Sequence, residues 1–213
     1  MNDRHIFYGI ELSRLKKIFG SKDERFIEEI LLERAQDFQN NDSYFSDDIQ
    51  FDRFDSETAL REIVAGSIRS RQYSEKMFAR VLKVICKQIG EFLGEAIAIR
   101  DHPYKSKLLA SGVPIPIPHV PYDPYQFSNN LEIGFLDWKD IPGEIQRIEQ
   151  APQRAKPSYV LELLSWFRPG LVGRIMNQLS GPSLVKDMQD YKDVLMRAHN
   201  KGLSVVSICD FEP

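Results

Sequence analysis

The chain has 213 residues, a formal net charge of -3 and 42% hydrophobic residues, including 13 Phe and 8 Tyr. That composition can bury enough apolar surface to offset the entropy of ordering, which excludes intrinsic disorder, and the mild acidity excludes nucleic-acid binding through bulk positive charge. The opening residues lack the apolar segment of a signal peptide and no 18-residue apolar run occurs, so neither secretion nor a membrane span is expected.

Ile6-Phe7-Tyr8-Gly9-Ile10 reads as a strand, followed by a short helix carrying Leu12, Leu15 and Ile18. Ser21-Lys22-Asp23-Glu24 matches a capping box, which predicts a helix with Phe26, Ile27, Ile30, Leu31 and Phe38 turned inward. From Asn40 to Asp55 the Asn, Asp and Ser side chains compete for the backbone, and a loop is expected. Ser56 then caps a short helix through Leu60, Ile63 and Val64 that Gly66 terminates.

The strongest periodic pattern runs over about residues 74 to 90. Met77, Phe78, Val81, Leu82, Ile85 and Ile89 fall on one helical face, and Lys76, Arg80, Lys83 and Lys87 recur on the other. Ala96-Ile97-Ala98-Ile99 is too short for periodicity to decide and reads as a helix end. Six of the twelve prolines lie between Pro103 and Pro124, which predicts an extended connector at about 103–128 without helix or central strand.

Ile133-Gly134-Phe135-Leu136 reads as a strand, and Pro142 sits in the first turn of a helix through Ile145 and Ile148. A further helix starts at Pro157 and stops or kinks at Arg168 before Pro169, and a helical stripe continues through Leu179. After the break at Ser180-Gly181-Pro182-Ser183, a last helix carries Leu184, Met188, Tyr191 and Leu195, and residues 203–208 close as a strand. Two short strands at the termini are most simply joined in one sheet. The fold expected is therefore α+β and predominantly helical, a single domain over 1–213 with a small sheet including both terminal strands.

Few residues carry chemistry by pattern. His5, His102, His119 and His199 are scattered without the i, i+4 spacing of a zinc site, and the acids at 47–57 lack the spacing and glycine of a calcium loop. No metal or cofactor is expected. Cys86 and Cys209 sit apart among apolar neighbours, as buried free thiols of a cytoplasmic protein do.

Charge is segregated: residues 42–57 hold six acids and one base, whereas 68–90 hold six bases and one acid. Mutual attraction across the fold is the simplest consequence. As a functional surface, Arg69, Arg71, Lys76, Arg80, Lys83 and Lys87 would dock an acidic protein in a salt-sensitive way. Nucleic acid fits less well, because no aromatic interleaves with the stripe. A second candidate is a pocket under the connector, lined by His102, His119, Tyr122 and Tyr125, which would suit a small-molecule binder or hydrolase.

Tyr8-x-Ile10-x-Leu12-x-x-Leu15, Gly20-Ser21-x-Asp23, the proline-rich middle and Leu161-x-x-Leu164-Ser165-Trp166-x-Arg168-Pro169 resemble a group of uncharacterised bacterial proteins of this size. The resemblance brings no catalytic residues. It implies at most an accessory or toxin-neutralising partner, in line with a non-enzymatic immunity or adaptor role.

Overall fold

The computed structural model describes residues 4–45, 54–69, 74–97, 108, 114–117, 133–154 and 182–209. The chain is an α+β protein, predominantly helical, with a four-stranded antiparallel sheet. The strands are β1 (Arg4–Ile10), β2 (Glu91–Ile97), β3 (Ile133–Leu136) and β4 (Ser204–Cys209), in the order β2-β1-β4-β3. The two terminal strands meet at the centre: β1 pairs with β4 from His5 opposite Cys209 to Ile10 opposite Ser204.

Strand alternation sends alternate side chains to opposite faces, and here both faces are covered. Tyr8, Ile10, Ile133, Val206 and Ile208 face one apolar cluster. Phe7, Leu93, Leu136 and Val205 face another. This double burial explains why β1 and β4 read as almost continuous apolar runs rather than as alternating ones.

Against the first face pack α1 (Leu12–Ile18), α2 (Glu24–Glu33), α3 (Ala35–Phe45), α4 (Ser56–Ala65) and α5 (Ser74–Ile89). α5 has the sheet on one side and α3 and α4 on another. Its Phe78, Leu82 and Ile85 are fully buried, and burial of each such side chain contributes about 1.5–3 kcal/mol. Against the second face pack α6 (Ile141–Arg154) and α7 (Pro182–Asn200), through Ile141, Ile148, Tyr191, Leu195 and Ala198.

The predicted capping box at Ser21 is displaced by two residues. Asp23 is the cap of α2, its Oδ1 accepting from the Phe26 amide at 3.1 Å, while Ser21 Oγ accepts from the Asp23 amide at 3.2 Å. The cause lies in Lys22, which adopts φ 57° as its amide donates to the Val64 carbonyl at 2.9 Å. That left-handed residue cannot belong to the helix. The α1–α2 turn is thereby clamped onto the end of α4, where Gly20 donates to Ile63 and Gly66 takes φ 67° as expected.

Other boundaries moved for tertiary reasons. The expected loop from Asn40 is helical through Phe45, because Asn41 is buried and Asp42 Oδ1 accepts from the Ser56 amide at 2.8 Å. α4 is capped by Asp55, which accepts from the Thr58 amide at 2.7 Å, rather than by Ser56. Ala96 and Ile97 are strand and not helix end, since they pair with His5 and Arg4 of β1. In β2 a bulge beside Gly94, whose φ is 135°, explains why local periodicity failed there.

Of the 103–128 connector, Leu108 and 114–117 are described. Leu108 is helical, a correction with a simple cause: the stretch between Pro103 and Pro114 holds no proline to forbid helix. Leu108 is buried in the α6–α7 layer, and Ile115 and Ile117 are buried in the α1–α5 layer. The expected helices between Pro157 and Leu179 lie outside the described residues.

Candidate functional site

The basic stripe of α5 does not form one outward face. Arg80 is buried, Lys76 and Lys83 are half-buried, Arg69 is exposed, and Arg71 lies outside the described residues. α5 is enclosed too widely for any simple two-faced pattern, since Ala79, Val84 and Cys86 are buried beside the expected apolar positions. Glu62 reaches out of the core to accept the Arg69 amide at 3.1 Å, fixing the chain after α4.

At the far end of α5 the stripe joins α2 and α3. Lys87 Nζ meets Asp37 Oδ1 at 2.5 Å, and Arg34 donates to Gln88 Oε1 at 2.9 Å and to the Lys87 carbonyl at 3.1 Å. Gln88 in turn donates to Glu33 Oε2 at 2.6 Å. Arg34 occupies the break between α2 and α3, so one residue ends α2 through its backbone amide and caps α5 through its side chain. Attraction across the fold is therefore present at Lys87, but its partner is Asp37. Asp42 and Asp55 of the acidic segment are spent on backbone amides of α4.

A second set of polar groups lies inside, on the sheet face towards α6 and α7. His5 Nδ1 and Ser207 Oγ are 2.7 Å apart and both residues are buried. Phe7 stands next to them, 6.3 Å from the His5 ring and 5.7 Å from that of Tyr191. The Tyr191 hydroxyl donates to Glu144 Oε1 at 3.4 Å, and Arg147 donates to Glu144 Oε2 at 3.0 Å. Glu144 is wholly buried whereas nearly half of the Arg147 side chain is exposed, so Arg147 brings compensating charge to the buried carboxylate from the surface.

These groups are hard to see in the sequence. His5 and Ser207 share a face only once the register of β1 and β4 is known, and alternation from paired terminal strands is the signal that would find them. Glu144 carried no such signal. Cys86, expected to be a buried free thiol, is one, and burial pushes its thiol up to about 12. A thiol held protonated in this way is a poor nucleophile.

The pocket proposed around His102, His119, Tyr122 and Tyr125 lies outside the described residues. Among the described residues, no three His, Cys, Asp or Glu side chains are grouped to hold a metal ion, and no helix is long and apolar enough to cross a membrane.

The outer surface of the α1–α5 layer carries the remaining candidate. α2 turns Arg25, Glu28, Glu29, Leu32 and Glu33 outwards, with Leu32 81% exposed. The preceding α1 exposes Lys16 and Lys17, so helices of opposite charge adjoin.

The family model for a domain of unknown function, DUF7691, matches residues 1–168. The chain belongs to this family. No curated protein and no solved structure matches it. The matched stretch takes in the whole α1–α5 layer and β1 to β3, while α7 and the central strand β4 fall beyond it. Membership in DUF7691 thus adds no assigned chemistry to the residues above.

Proposed function

We propose that the protein is a non-enzymatic interaction protein of the adaptor or immunity kind, docking a macromolecular partner through the outward face of its α1–α5 layer. A cytoplasmic setting belongs to the same reading, and the free thiol of Cys86 supports it. So does a bacterial origin, on the resemblance alone.

The supporting observation is Leu32. It stands 81% exposed in the last turn of α2, on a face that also presents Glu28 and Glu29 one turn before it and Glu33 beside it, an apolar anchor within an acidic surround. A partner of basic character with an apolar pocket fits this face. The sequence favoured an acidic partner on Lys76, Arg80, Lys83 and Lys87, but burial of Arg80 and the Lys87–Asp37 pair leave that surface less to offer.

Affinity capture with the immobilised chain at low and high salt tests the reading. A partner retained at low salt should be lost on Leu32→Arg and on Glu28→Lys with Glu29→Lys, and kept on Lys76→Glu with Lys83→Glu. The opposite pattern would move the docking face to α5. Retention of nothing, or of a partner indifferent to both sets, would remove the proposal.

A further inference from the structure

We draw no further inference here: the strongest candidate, the sealed cluster of His5, Ser207, Tyr191 and Glu144 between the sheet and the α6–α7 layer, is buried among its own internal hydrogen bonds, and nothing in the described residues shows a ligand or an opening that would turn those bonds into chemistry.

Discussion

His5 and Ser207 lie 202 positions apart in the chain, yet the imidazole Nδ1 and the hydroxyl oxygen are 2.7 Å from one another in the middle of the sheet. Both side chains are sealed from solvent, so neither can exchange the other for water. Ser207→Ala should therefore lower stability by about 1–3 kcal/mol, the cost of removing a hydrogen bond from a buried polar group. Urea denaturation measures this directly, and an unchanged midpoint would show that the contact contributes nothing.

Lys87 and Asp37 are each about two-thirds shielded, with side-chain exposures of 32% and 27%. Their pairing should survive moderate salt better than the more exposed Arg61–Glu24 pair, at 44% and 70%. A double-mutant cycle with Lys87→Met and Asp37→Asn should give a coupling energy of about 1 kcal/mol. For Arg61→Met and Glu24→Gln the corresponding value should fall to a few tenths at high salt. Equal couplings for the two pairs would contradict the difference in burial.

Two glycines should respond in opposite directions to alanine. At Gly66 the backbone is left-handed, with φ 67°, and an added Cβ would stand 2.8 Å from Gly20 Cα. Gly66→Ala should cost at least about 1–2 kcal/mol. At Gly143, in the first turns of α6, an added Cβ meets nothing within 4 Å, and Gly143→Ala should stabilise by about 0.5–1 kcal/mol. Thermal melts of the two variants beside the wild type decide both.

Burial raises the Cys86 thiol from 9.0 to about 12, so the unfolded chain ionises first as pH rises. Its contribution to stability is complete below pH 9.0 and is lost between there and about 12, at about 1.4 kcal/mol per pH unit. Wild type should therefore lose about 1.4 kcal/mol more than Cys86→Ala between pH 8 and pH 10. Parallel losses would show that Cys86 does not titrate differently in the two states. In a Cys209→Ser background, thiol reagents at neutral pH should modify Cys86 only on unfolding.

What the sequence revealed depended on how local the deciding interaction was. The α5 helix, the β3 strand and the stop at Gly66 follow from neighbouring residues, and their bounds were legible. Pairing of the terminal strands followed from their shortness. β2 was not legible, because Ala96 and Ile97 become strand only through their partners Arg4 and His5. The same holds for the end of α3, fixed by Asp42 on the Ser56 amide.

Among the candidate site residues, spacing identified the face of α5 on which Arg80 and Lys87 lie but not what packs on it. Helical periodicity describes one element at a time, whereas the burial of Arg80 and the contact of Lys87 with Asp37 depend on the elements packed around α5, α3 and α4 among them. The exposure of Leu32 is hidden in the sequence for the converse reason. In α2 the inward set of Ile27 and Ile30 makes a leucine nearby look like core, and only the packing shows that it points away.

The placement of β4 between β1 and β3 has a consequence for biosynthesis. As the nascent chain emerges, β1 can find β2 and gather α1–α5 on one side of that pair, because all of these precede residue 98. β3 has no such opportunity, since its sheet partner β4 is translated some seventy residues later. At about 5–20 residues per second, Leu136 waits several seconds and Phe7 some tens of seconds for the strand that lies between theirs. Until then the second face also lacks α7, so completion of the sheet and of the layer over it is timed by the synthesis of the last elements, α7 and β4.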